Sequence, residues 1–421
     1  MTQKTKPSAI QATLRQPNYW RYILGNGLSL IGTWMQRVAV GWLAWELTRS
    51  PAWLGIIAMA DFAPVFILGP LGGALADRHS RIMVMVGAQL AATLSALTLF
   101  GLSATGLLTV WHLAIFTFIT GCAVGINQPA RLALVPNLVP RELLTTAISI
   151  NAMVFNGARF VGPMFSTAVI ALWSIHGSFL INACSYMALI IALLSLRIPA
   201  HERPRTDGQQ QSLLDDIGEG IQFIRQHAAI RLIIAIMAMA ALCLRSVVDL
   251  LPGLTSDVFG KGADEFAVLT AIFGIGAIIG GIWMARRGGL GDQPIVALWG
   301  VLGTALFTVA LISTQEYMVA LPVALGIGFT TVVAGIGMQA TLHFSTPAAM
   351  RGRVMSLYGI IHIGGAGVGA FVLGLIAEHV GLRPPIAISA AIGIIIWCKV
   401  WRNRSEMSHN LQITPPSSKE N

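Results

Sequence analysis

Arg37, Asp61, Arg159, Arg245 and Asp249 each stand inside a long apolar run. A charge in the middle of such a medium costs about 2.5 kcal/mol or more and usually serves a task. Guanidinium groups are planar forks of donors that grip carboxylates and other oxyanions. A carboxylate among them either holds a guanidinium or exchanges it for a proton. Asp61 lies twelve residues after Arg49, and Arg37 twelve before it. In an antiparallel hairpin that turns at Arg49 the two reach the same depth, which permits an ion pair. Two roles stay open for it: a permanent pair that tolerates burial, or a proton-coupling site. Asp249 and His362 are the other proton-site candidates, although a lone histidine on an apolar helix more often packs than titrates.

A second concentration of charge is the stretch GGALADRHSRIMVM at 72–85, with Asp77, Arg78, His79 and Arg81 inside five residues. Long apolar runs flank it. The arginines alone would suit a simple interfacial anchor. Asp77 does not, because a carboxylate gains about 0.3–1 kcal/mol beside a helix N-terminus and so suggests a specific contact.

Polar residues elsewhere fall in stripes. Asn26, Ser29, Thr33 and Arg37 are spaced by three and four, which is one helix face. Thr117, Thr120, Asn127 and Arg131 form a similar stripe. Asn151 and Arg159, eight apart, nearly align; Arg245 and Asp249 are four apart, as are Tyr358 and His362. Such stripes suit the wall of a water-filled path. Trp34, Trp42 and Trp45 add flat apolar surface, equally suited to packing.

The elements that carry these residues are membrane helices. Of 421 residues, 55% are hydrophobic and only 11% charged, against about 25% charged in ordinary soluble domains. A spanning helix needs about 20 mostly apolar residues. Twelve such segments are expected, at about 21–47, 52–76, 82–103, 107–130, 144–171, 175–196, 229–251, 265–285, 294–313, 317–342, 352–377 and 384–401. No alternating barrel pattern is present, so backbone groups in lipid must be satisfied within helices. The organisation expected is a six-helix bundle at 1–196, a polar linker with an amphipathic helix at 197–228, a second bundle at 229–402 and a tail at 403–421.

The basic residues fix orientation. With the N-terminus inside, the outer loops hold only Arg49, Lys261 and Arg383, and Arg37, Arg159 and Arg245 lie within helices; the other Lys and Arg of the 27 face inward. Both termini are therefore expected in the cytoplasm. The net charge of +9 marks that face and implies no nucleic acid. The four cysteines show neither metal spacing nor a disulfide framework. No phosphate-binding loop and no nucleophile–base set is recognisable, so neither ATP-driven transport nor an enzyme is expected, and no cofactor. GIGAIIG at 274–280 lies inside a helix and reads as close packing.

The chain also repeats. A shift of 208 carries Arg37, Gly72, Gly73 and Arg78 onto Arg245, Gly280, Gly281 and Arg286; a shift of 207 carries Pro140, Ser149, Gly157 and Gly162 onto Pro347, Ser356, Gly364 and Gly369. Two parallel halves are a transporter architecture.

With these elements in place the sequence resembles the major facilitator superfamily over nearly its whole length. The family signature between helices 2 and 3 is met by Gly73, Asp77, Arg78 and Arg81, with Ser80 where glycine is usual; its second copy keeps Gly281 and Arg286 but has Ala285 for the aspartate. The segments GTWMQRVAVGWLAWELTRSPAWLG, NQPARLALVPNLVPRELLTTAISINAMVFNGARFVGP and RGRVMSLYG are similar to the branch that includes the enterobactin exporter and macrolide efflux proteins. Gly162-Pro163 resembles the exporter-type element on helix 5. The resemblance implies an all-α membrane fold of twelve helices in two pseudo-symmetric six-helix bundles. It implies that Gly73, Asp77, Arg78 and Arg81 form a cytoplasmic gate, and that helices 1, 4, 7, 10, 5, 8 and 11 line the cavity. Asn26, Thr33, Arg37, Asn151, Arg159, Arg245, Tyr358 and His362 are then the cavity candidates, with Asp61 and Asp249 for proton coupling. The expectation is a monomeric exporter in the bacterial inner membrane, moving a siderophore or other acidic small molecule against protons, with multidrug or macrolide efflux as the alternative. A non-transporting sensor should have lost the gate signature or gained a soluble domain.

Overall fold

The computed structural model describes residues 8–197, 213–287 and 293–402, and the described residues are helical almost throughout. A short α1 (Ala9–Leu14), opened by a capping box at Ser8, precedes α2 (Pro17–Thr48). There follow α3 (Pro51–Arg78), α4 (Arg81–Ala104), α5 (Val110–Leu134), α6 (Leu144–Leu172) and α7 (Gly177–Leu194). After α8 (Leu213–Gln226) comes α9 (Ala228–Met239), which continues through a wide turn (Ala240–Leu244), a tight one (Arg245–Leu250), a short α10 (Leu251–Gly253) and a second wide turn (Leu254–Val258). The chain then forms α11 (Ala263–Arg287), α12 (Gln293–Ser313), α13 (Tyr317–Ser345), α14 (Ala348–Val380) and α15 (Arg383–Arg402).

Ten of these segments are long and apolar enough to cross a membrane. Two more, α2 and α6, have spanning length but carry Asn26, Gln36 and Arg37 in one and Asn151, Asn156 and Arg159 in the other. They are the helices whose polar faces marked them as walls of a path. Twelve long helices therefore stand among the described residues.

Three details differ from the sequence expectation. The seventh span runs to Val258 rather than 251, and it is irregular. Pro252 lacks the amide that would bond one turn back, which favours a broken ladder there. Residues between α5 and α6 form two tight turns, Val135–Leu138 and Arg141–Leu143. Finally, α8 is docked: Ile224 is buried in the core with Ile230 and Leu357, and Glu219 pairs with Arg353 of α14 at 2.7 Å.

The chain divides into two compact units, one of residues 1–49, 56–207 and 261–274, the other of residues 50–55, 208–260 and 275–421. In the first, α2 packs on α6 and α7, and α4 on α5 and α7. In the second, α12 packs on α13 and α15, and α14 on the irregular turns after α9.

The sequence repeat has a counterpart in packing. A Cβ at Gly72 would fall 2.6 Å from the Ile126 carbonyl oxygen, and one at Gly280 would fall 2.7 Å from that of Phe329. Their neighbours at the same offset, Gly73 and Gly281, meet no such obstacle. Gly162 lies against the backbone of α2 at Ile31 and Met35, and Gly369 against the backbone at Leu242. Equivalent glycines thus serve equivalent helix crossings, one set in each unit.

Candidate functional site

In the first unit the site is built on α2. Arg37 and Asp61 of α3 form an ion pair at 2.6 Å, with side chains 28% and 14% exposed. Two rings flank the same guanidinium, Trp34 at 4.2 Å and Phe62 at 4.9 Å. The other side of Trp34's neighbourhood is held by Arg159 of α6, 5.1 Å from the ring centroid. Arg159 in turn lies 5.9 Å from Phe155, and Arg131 of α5 lies 5.2 Å from that ring. Three arginines and two rings alternate: Arg37, Trp34, Arg159, Phe155, Arg131.

Around this ladder the polar side chains are tied down. Thr33 bonds to the Tyr186 hydroxyl at 3.1 Å, and Asn182 donates to Gln36 at 2.7 Å. Asn26 is nearly fully buried and donates to Asn151 at 3.4 Å, a long bond. The structure thus joins Arg37, Asp61 and Arg159 through Trp34, and Asn26 with Asn151.

In the second unit Arg245 opens the tight turn of the seventh span. It donates through Nη1 to the backbone carbonyl of His362 at 2.8 Å. The His362 ring stacks on Tyr358 at 5.4 Å between centroids. Arg245, Tyr358 and His362 therefore form one group. Asp249 lies in the same tight turn, Arg245–Leu250, which winds at about three residues per turn.

Beside that group is a narrow pocket, open to its surroundings, walled by Met237, Leu244, Val301 and Met338 and edged by Thr304, Thr331, Arg245 and His362. Thr304 bonds Thr330 at 3.0 Å in its lining region.

The charged stretch spans the end of α3 and the start of α4. Gly73 and Asp77 lie in the last turns of α3, and the side chain of Asp77 is outside the described residues. Arg78 is exposed, and Arg81 donates to the Ala133 carbonyl at 2.9 Å, joining the start of α4 to the end of α5. The packing glycine of the stretch is Gly72, next to the Gly73 of the signature.

Sequence reasoning missed Phe155, Tyr186 and Gln36, and left Arg131 as part of a stripe only. Phe155 precedes Arg159 by one helical turn, a visible signal. That the same ring also meets an arginine of α5 is a tertiary fact.

Twelve long helices, a repeated packing scheme and buried charges among polar stripes define a multi-pass membrane transporter of the major facilitator fold. The chain belongs to the transmembrane secretion effector family of that superfamily, whose model matches residues 8–414. It is similar to macrolide efflux protein A of Streptococcus pyogenes, with 23% identity over 88% of this chain and 92% of that protein. It is also similar to the enterobactin exporter EntS of Escherichia coli O9:H4, with 25% identity over 95% of this chain and 94% of that one. Among solved structures, a bacterial homolog of the human lysosomal transporter Spinster shares the fold at a TM-score of 0.72 and 14% identity, covering 95% of this chain and 99% of that one.

Proposed function

We propose that the protein exports an acidic or oxygen-rich organic molecule, a siderophore first, from the cytoplasm in exchange for protons. The observation that carries the reading is the Arg37–Asp61 pair, set in the apolar interior and bordered by a second arginine across Trp34. A carboxylate paired with an arginine can take a proton when an anionic cargo claims the arginine. Proton entry and cargo binding then become alternatives at one site. Similarity to the enterobactin exporter supports a siderophore as the cargo. In this reading Asn26, Thr33, Arg37, Asn151, Arg159, Arg245, Tyr358 and His362 contact the cargo, Asp61 or Asp249 carries the proton, and Gly73, Asp77, Arg78 and Arg81 gate the cytoplasmic side. Both termini face the cytoplasm, the bundles are 1–196 and 229–402, and the working unit is a monomer.

The test uses the purified protein in liposomes with an imposed pH gradient and no nucleotide. Movement of a siderophore that follows the gradient and stops with a protonophore is expected. Movement that ignores the protonophore refutes the coupling.

One observation favours a second cargo. The cavity of the second unit has mostly apolar walls with Met237 and Met338, and methionine walls adapt to varied shapes. The apolar character of such a wall suits a neutral drug of the macrolide type, and similarity to macrolide efflux protein A supports it.

A further inference from the structure

Arg131 stands one turn from the C-terminal end of α5 and is only 6% exposed. A fixed positive charge at that depth needs compensation. Its described partners are neutral: Nη2 donates to Gln128 Oε1 at 2.6 Å, and the guanidinium lies against Phe155 at 5.2 Å. Among the described residues no carboxylate lies within ion-pair distance of it. Its Nε has no hydrogen-bond partner, and neither has the Oδ1 of Asn127, one turn earlier on the same helix and 9% exposed. The Tyr22 hydroxyl, on α2 in the same core cluster as Ala130 and Leu134, is buried and unsatisfied too. Buried polar atoms are nearly always satisfied, and an uncompensated buried charge is among the costliest defects a fold can carry. At the far end of the same ladder Arg37 has its carboxylate; at this end Arg131 has none among the described residues.

We infer that Arg131, with Asn127 and Tyr22 beside it, is a binding station for a carboxylate or similar oxyanion of the cargo. It is the end of the arginine–ring ladder opposite the Arg37–Asp61 pair. Here the incoming anion supplies the missing counter-charge. It passes to Arg159 across Phe155, and at Arg37 it must compete with Asp61. The inference rests on the acidic-cargo reading and adds a residue and an order of contact to it.

The test measures binding of 2-naphthoate and of its neutral counterpart 2-naphthamide to the full-length protein in detergent, by quenching of tryptophan fluorescence, with thermal melts alongside. Two variants are compared with the parent. Arg131→Gln removes the charge. Asn127→Asp places a carboxylate one turn away, so it fills the vacancy from within. Each should weaken naphthoate binding roughly tenfold or more and leave naphthamide unchanged, and Asn127→Asp should melt no lower than the parent. Should one variant fail to fold, the other decides alone; failure of both overturns the proposal, because the guanidinium is then structural. Parent-like naphthoate binding by a folded variant also overturns it. If Arg37→Gln and Arg159→Gln still lose naphthoate in that case, the acidic-cargo reading survives. If the parent itself does not prefer naphthoate to naphthamide, that reading falls and this proposal falls with it.

Discussion

Replacing Asp61 by asparagine keeps the shape of the side chain and removes its charge, leaving Arg37 without its carboxylate. Breaking a fully buried pair in this way costs about 3–5 kcal/mol, whereas an exposed pair contributes about 0–1. With the two side chains 28% and 14% exposed, the pair lies between these limits, and about 2 kcal/mol is expected. Trp34 and Phe62 remain against the guanidinium and hold it in place. In a bundle of this size each kcal/mol moves Tm by about 2–4 °C, so Asp61→Asn should melt about 4–8 °C lower. Adding Arg37→Gln removes the orphaned charge, so the double variant should lose less than the two singles summed. Fluorescence melts of the parent and three variants in detergent supply the cycle. Liposome transport of the same proteins separates the two roles of the pair. A permanent structural pair predicts that the double variant, once stable, recovers gradient-driven transport. A coupling site predicts that it stays uncoupled. An Asp61→Asn protein that melts within about 1 °C of the parent and transports normally would refute both roles.

Three further outcomes are expected. Gly72→Ala puts a methyl against the Ile126 carbonyl, and overpacking of this kind costs about 1–3 kcal/mol; Gly73→Ala, one residue on, should be nearly neutral, and melts of both check the contrast. Asp77→Asn should impair export with membrane insertion intact, measured as transport per inserted molecule; full export would remove the gate role. Glu219→Gln removes the ion pair between α8 and α14, but with the glutamate 46% exposed the cost should stay below about 1 kcal/mol and show only as a small melt shift that salt reproduces.

The helix count was legible because a span must hide its backbone from lipid: ten segments write a long apolar run, and α2 and α6 keep the spanning length with a polar face. The common depth of Arg37 and Asp61 followed from counting residues on either side of a turn, since helical rise is constant. The repeat was legible because glycine alone permits the backbone approach at positions such as Gly72, Gly280, Gly162 and Gly369. Three things were not legible. Which of Gly72 and Gly73 faces the neighbour depends on helix rotation, a property of the assembled bundle. The ladder through Phe155 needs α5 and α6 to be adjacent. The broken seventh span leaves only Pro252 as a local sign, and the close approach of Gly369 to the backbone at Leu242, inside its first wide turn, is a tertiary fact.

The wide turn Ala240–Leu244 has a consequence for how the chain tolerates editing. Such a turn holds one residue more than an ordinary helical turn does. Deleting a residue inside it, Ala240 or Ala241, restores the common winding between α9 and the tight turn that Arg245 opens. The same deletion in the regular part of α12 would rotate everything beyond it by about 100°. This turn is therefore a place where one residue can be gained or lost without disturbing the pocket that Arg245 borders.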